Sequence, residues 1–208
     1  PSLNSMDLSF LKRETCIGLN KIYLGFTKFR FYPRYYVAVN EKVITQAAHE
    51  ISAMNCVKFI SSRSARLIPE NALTFHINTS NPPRRFCTDI VQGVHEGWTV
   101  TYAALQVAYF LGFQEVILIG LDHRYCFHGQ PNEAQVLDGP DTNHFSESYF
   151  GYGQAWDNPD LANSEESYRI ARATYEKSGR RIIDATLDGA CKVFEKADYR
   201  QFFHLNSK

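Results

Sequence analysis

The run Glu115-Val116-Ile117-Leu118-Ile119-Gly120 constrains the fold more than any other part of the chain. Its four consecutive bulky aliphatic residues show no alternation, which suits a strand buried on both faces, the situation of a parallel strand covered by helices. Ahead of it, the apolar-rich residues 99–111 predict a helix that starts just after Gly97 and closes on Gly112. Behind it, Leu121-Asp122-His123 leaves the carboxyl end of the strand. Helix, glycine, strand and polar loop in this order form half of a βαβ unit.

The remainder agrees with that class. Short strands are predicted at residues 15–20, 35–40, 56–60, 73–77 and 181–185, and helices at 41–52 and 164–177. Asn40 is a plausible N-cap for the first of these helices, and Glu165 and Glu166 fall in the expected first turn of the second. Asn81-Pro82-Pro83 is a firm breaker. Residues 129–162 are polar and rich in Gly, Pro, Asp and Asn, which predicts a long functional or mobile loop. Residues 189–203 form a tail whose Val193, Phe194, Tyr199 and Phe202 can dock on the body. The expected architecture is an α/β sandwich with a mainly parallel sheet, organised as a single domain over residues 1–208.

Charge narrows the function. The 22 basic and 22 acidic residues cancel, but residues 1–86 carry +7 and residues 87–208 carry −7. A neutral total argues against a dedicated nucleic-acid binder. The five cysteines, Cys16, Cys56, Cys87, Cys126 and Cys191, include no CxxC pair, which argues against a disulfide framework or a structural zinc site. The longest apolar runs are too short for a transmembrane segment, and no signal peptide is recognisable, so the expected setting is cytoplasmic.

Ligands of open α/β sheets bind outside the carboxyl ends of the strands. Asn20, Asn40 and Asp122 stand at three such ends. The amides of Asn20 and Asn40 can read a sugar or base edge, or can cap a turn or helix. Asp122 can bind a ribose hydroxyl, hold a neighbouring Lys or His, orient a metal or cap the next turn. Glu96-Gly97-Trp98-Thr99 meets a helix N-terminus, where free N–H groups and a hydroxyl suit phosphate, although any helix start offers the same. In or beside the long loop lie Asp122, His123, His128, Asp141 and His144, acid–base residue types of which histidine is the usual proton carrier near neutral pH; their spacing matches no standard metal-ligand pattern. Lys21, Lys28, Arg30 and Arg34 alternate with Tyr23, Phe26, Phe29, Phe31, Tyr32, Tyr35 and Tyr36. This segment can stack on a base or saccharide, or can be a solvated face backed by core aromatics.

Residues 97–105, Gly-Trp-Thr-Val-Thr-Tyr-Ala-Ala-Leu, followed by residues 111–122, Leu-Gly-Phe-Gln-Glu-Val-Ile-Leu-Ile-Gly-Leu-Asp, resemble the Rossmann-like domain of the MptE-like proteins, a group named for a 6-hydroxymethylpterin diphosphokinase. The same layout occurs in the bacterial sialyltransferases that use CMP-activated sialic acid. The opening Pro1-Ser2-Leu3 is similar to the end of their shared Gly-Asn-Gly-Pro-Ser-Leu phosphate loop. The resemblance therefore implies a Rossmann-like three-layer sandwich whose first strand and loop glycines precede Pro1.

It also implies roles for individual residues. Ser2 and Asn20 would hold the nucleotide, Gly97 and Thr99 the phosphate at the helix start, and Tyr125 the departing phosphate; Asp122 is the strand-end acid. The sialyltransferase base is the second histidine of an H-Y-x-G-H segment. Here His144 matches its beginning, Ser148 stands at the second histidine, and Glu96 replaces a serine before the helix-start glycine; both departures tilt the match toward the MptE-like branch.

Three functions follow as expectations. The first is a glycosyltransferase that needs no metal or other cofactor and moves a sugar, plausibly a sialic-acid-like one, from a nucleotide-activated donor to a glycan or small-molecule acceptor, with His144 or a loop neighbour as general base and Asp122 in the catalytic set. The second is an MptE-like diphosphokinase using ATP and Mg²⁺, with Asp122 and Asp141 helping to hold the metal. The third is a nucleotide- or glycan-binding domain without turnover.

Overall fold

The structure is a computed structural model that describes residues 2–80 and 85–202. The predicted breaker Asn81-Pro82-Pro83 and residue 203 of the tail lie outside the described residues. In chain order the strands are β1 (Ile17–Leu19), β2 (Tyr35–Ala38), β3 (Val57–Ser61), β4 (Thr74–Ile77), β5 (Thr79–Ser80), β6 (Val94–His95), β7 (Glu115–Leu118), β8 (Ala134–Val136), β9 (Ala155–Asp157), β10 (Arg181–Asp184) and β11 (Glu195–Lys196). The helices are α1 (Phe26–Phe29), α2 (Glu41–Gln46), α3 (Ala48–Ala53), α4 (Val100–Phe110) and α5 (Leu161–Lys177), with short 3₁₀ turns between elements.

The fold is α/β. A four-stranded sheet in the order β1-β2-β3-β4 is parallel throughout, in the register Ile17↔Tyr35, Tyr35↔Val57 and Lys58↔Thr74. A second parallel sheet has the order β11-β10-β7. The pair β5-β6 is also parallel, whereas β8-β9 is an antiparallel hairpin.

Helix α4 joins the two main sheets. Its Ala103, Ala104 and Val107 pack on Val37, Phe59 and Ile77 of the first sheet. Its Tyr102 and Leu105 pack with Tyr168, Tyr175 and Ile182 on the side of the second. Every residue from Tyr102 to Ala108 is therefore buried, and such a helix reads as apolar all round rather than amphipathic. On the opposite face of the first sheet, α2 and α3 bring Ile44 and Ile51 against Tyr36 and Ile60, all fully buried. Each such aliphatic side chain contributes about 1.5–3 kcal/mol relative to exposure.

Three local expectations are corrected and one segment gains detail. The helix predicted over residues 41–52 is broken at Ala47, whose backbone leaves the helical region at φ −129°. The cause is tertiary: Gln46, at the break, is held by the long loop, donating to the Ala155 carbonyl and accepting from Lys21. The later helix starts at Leu161, not Ser164, because the Asp160 side chain caps it by accepting from the Asn163 N–H; Glu165 and Glu166 sit beyond the first turn and pair with Arg169. The long stretch 129–162 also carries the short β8–β9 hairpin. Finally, the aliphatic run expected to be fully buried is exposed at Glu115 and half-buried from Val116 to Ile119, because β7 pairs only with β10 among the described residues. No helix among the described residues is long and apolar enough to cross a membrane.

Candidate functional site

Contacts link the predicted residues: Ser2 reaches Asp122, the Asp122 charge acts on Tyr125, Tyr125 and Tyr149 meet the His144 ring, and the Asn20 side chain reaches Tyr149. Asn20 follows β1 in a left-handed conformation, φ 46°. Asp122 follows β7 and accepts the Ser2 backbone N–H on Oδ1 at 2.9 Å. Two side-chain oxygens here, Ser2 Oγ and Asn20 Oδ1, are buried without a hydrogen-bond partner among the described residues. Such atoms are costly unless something satisfies them, by roughly 1–3 kcal/mol each.

The long loop folds over this end. Its Tyr149, Phe150 and Trp156 are buried with Val43 of α2. Within it, Asp141 and His144 form a dyad, His144 Nδ1 lying 2.7 Å from Asp141 Oδ2. The His144 ring stacks on Tyr149 at 4.0 Å between centroids with 7° between planes, and Tyr125 meets it edge-on at 6.0 Å. With the carboxylate accepting from Nδ1–H, the imidazole lone pair is placed on Nε2, the arrangement a general base needs.

Asp141 is itself only 2 % exposed. Its four acceptor contacts are the N–H groups of Asn143 and His144 on Oδ1, and the His144 ring and the Phe150 N–H on Oδ2. Burial pushes its pKa up, but the His144 hydrogen bond and charge and the two backbone donors Asn143 and Phe150 outweigh it and hold the carboxyl below the ordinary value. A carboxylate so engaged is tied to the loop backbone and to His144 through both oxygens.

Lys21 anchors the loop from below. Only 2 % exposed, it donates to the Tyr149 carbonyl at 2.6 Å, to Gln154 Oε1 at 2.7 Å and to Gln46 Oε1 at 2.8 Å. Burial lowers its pKa to about 8 against the opposing pull of Asp141 and Glu50. Burial, with the Asp122 and Asp141 charges, pushes the Tyr125 hydroxyl up to about 12, so it is a proton donor throughout the neutral range. The Tyr149 hydroxyl is raised too, by burial, against hydrogen bonds from the Lys21 N–H and the Asn20 side chain.

The helix-start residues have mainly structural duties. Thr99 caps α4 by accepting the Thr101 N–H, and its hydroxyl lies 3.1 Å from that of Tyr168. Glu96 pairs with Arg63. Gly97 has φ +58°, and a Cβ there would sit 2.3 Å from the Tyr102 ring and 2.9 Å from Ser167 Oγ. Gly97→Ala is therefore expected to cost about 2–4 kcal/mol by chemical denaturation, strain and overpacking combined. Gly112→Ala is the control, with φ +88° but nothing within 4 Å, and it should cost about 1 kcal/mol.

Other candidates separate from the site. Asn40 is a helix cap, accepting from the N–H groups of Lys42 and Val43. His123, at φ 51°, is buried against Glu165 and Tyr168 and ties the β7 end to α5. His128 is exposed. From the basic aromatic segment, Phe29, Phe31 and Tyr36 are core, while Tyr32 is 76 % exposed. Cavities of about 340 Å³, beside Arg85, Cys87 and His95, and about 300 Å³, beside Asp7, Lys28 and Arg30, include none of Asn20, Asp122 and His144. In the sequence Asp141 belongs to the same acid–base cluster as His144 and Lys21 to the basic aromatic segment; the Asp-x-x-His spacing at 141–144 is the signal that points to the dyad.

Comparison of the chain with protein-family models, with curated proteins and with solved structures gave no match.

Proposed function

We propose that this chain is a glycosyltransferase of Rossmann-like, three-layer architecture, related to the MptE-like and sialyltransferase group, acting on a nucleotide-activated sugar without a metal. The observation that carries the reading is that two buried oxygens without a partner among the described residues, Ser2 Oγ and Asn20 Oδ1, belong to residues linked to the Asp141–His144 dyad, Asn20 through Tyr149 and Ser2 through Asp122 and Tyr125. The oxygens suit hydroxyl or amine donors of a nucleoside; the dyad suits removal of a proton from an attacking hydroxyl.

In this reading the acceptor hydroxyl attacks the anomeric carbon as the bond to the donor phosphate breaks. His144 Nε2 takes the hydroxyl proton, and Asp141 stabilises the imidazolium that results. The Tyr125 hydroxyl, held protonated, donates to the departing phosphate. Asp122 positions Ser2 through its backbone N–H. Helices on both faces of the first sheet support the sandwich reading.

Thermal shift with CMP, CDP and ATP, each with and without Mg²⁺, tests the assignment. CMP alone at about 100 times its Kd is expected to add about 2.7 kcal/mol, a rise of about 5–10 °C in a chain of this size. Stabilisation by ATP only with Mg²⁺ would point instead to the diphosphokinase. Stabilisation by CMP without release of CMP from an activated sugar would point to a binding domain.

A further inference from the structure

We propose that the cavity of about 340 Å³ between β5, β6 and residues 85–92 binds the oxyanion group, carboxylate or phosphate, of a small organic molecule, with Arg85 as the main donor. This site is separate from the nucleotide site proposed above and uses none of its residues.

Its walls are fixed from inside. Strands β5 and β6 pair in the register Thr79↔Val94 and Ser80↔His95, which sets Ser80 beside His95. From α4, the fully buried Gln106 reaches the other wall as well. Its Oε1 accepts the Cys87 N–H at 3.1 Å and the His95 N–H at 3.0 Å. Its Nε2 donates to the carbonyls of His95 at 2.7 Å and Tyr102 at 3.1 Å. Every hydrogen-bonding position of that amide is used on backbone, so the two segments are held in place before any ligand arrives. The Phe86 ring adds apolar anchorage, meeting Tyr102, Tyr109 and Tyr175 edge-on.

The polar inventory decides the sign of the ligand. Arg85 Nε–H donates to His95 Nε2 at 3.2 Å. That nitrogen is therefore the acceptor of a neutral ring, and the ring proton sits on Nδ1, 3.2 Å from Ser80 Oγ. Ser80 accepts there and keeps its own O–H to donate. Asn78 Oδ1 accepts from the Ser62 hydroxyl, which leaves the Asn78 amide hydrogens as donors. Burial, with the Asp89 charge, raises the Cys87 thiol against the pull of Arg85, so the thiol too is protonated at neutral pH. The nearby carboxylates are already spent. Asp89 accepts the Val91 N–H on Oδ1 and Gln92 Nε2 on Oδ2, and Glu96, next to His95, pairs with Arg63.

The Arg85 charge is what remains. Among the described residues no carboxylate pairs with it, and its two terminal nitrogens have no hydrogen-bond partner. Tied to His95 through Nε, the planar group keeps a pair of N–H donors that match two oxygens of one anion. Arg85 is exposed, so the anion has a path from water. The volume lies near the lower end of ligand cavities, about 300–1,000 Å³, which limits the ligand to a small molecule; Phe86 and Val94 offer its body an apolar wall.

Backbone amide NMR, with sodium phosphate and sodium acetate titrated separately at constant ionic strength, tests the site. Saturable shifts are expected at Ser80, Cys87 and His95. Arg85→Gln, at an exposed position, should weaken binding about tenfold or more, and Ser80→Ala, which leaves the guanidinium in place, about threefold. A response to phosphate alone assigns a phosphoryl group, one to acetate alone a carboxylate, and one to both an oxyanion of either kind. The proposal is overturned if neither anion gives saturable shifts at these residues, if shifts are confined to Lys28 and Arg30 beside the other cavity, or if both variants bind as the wild type does. CMP is read separately: CMP shifts at Asn20 and Asp122 keep the nucleotide reading whatever the two anions do at Arg85.

Discussion

Asp141→Ala should destabilise the protein by about 3–5 kcal/mol, because three backbone N–H groups and the His144 ring lose a buried, charged acceptor together. For a chain of this length that is a fall of about 6–20 °C in Tm. Asp141→Asn, which keeps an acceptor oxygen and the shape, should lose about half as much. The pH dependence carries its own sign. The folded pKa of Asp141 lies below the ordinary value of 3.8, so its contribution is complete above that value and is lost as pH falls toward and through the folded pKa. The stability gap between wild type and Asp141→Ala, measured by urea denaturation, should therefore narrow below about pH 4. A gap that does not change between neutral pH and pH 3 would show that the carboxylate charge contributes nothing.

His144→Gln should leave CMP-induced stabilisation intact while release of CMP from an activated sugar falls about 100–10,000-fold. Glutamine can still donate to Asp141, so loss of stability is smaller than for Asp141→Ala and the two roles separate. The stack on Tyr149 would be weakened, which by itself predicts a change in loop protection but none in the pH profile of turnover. If His144→Gln keeps turnover within about threefold, the dyad is a structural tie of the loop and proton removal lies elsewhere. If CMP stabilisation disappears as well, the residue supports the site's shape and not its chemistry.

Some of this is legible in the sequence alone. The helix-glycine-strand unit around Gly112 is local chemistry: an apolar run, a glycine that accepts φ +88° and a β-branched strand, each decided within a few residues. The same holds for Asn40 as a cap, whose side chain needs only its own next turn. Position at strand ends likewise followed from order along the chain, which is why Asn20 and Asp122 were found. The break at Ala47 was not legible, because it depends on Gln46 reaching a carbonyl 109 residues away. Nor was the start of α5 read correctly, since a serine followed by two glutamates imitates a first turn.

The site shows the same division. His144 stood out by residue type and place, but its working partner depended on a fold of the loop that buries a carboxylate among backbone donors. Lys21 read as one basic residue among several until the structure buried it under Tyr149, Phe150 and Gln154. By itself, then, the sequence determined the class of fold and the parallel strands, because periodicity, capping and turn residues act over short range. Only the tertiary structure decided which cation holds the loop and how the two main sheets share α4, because those outcomes are set by burial and pairing between residues far apart in the chain.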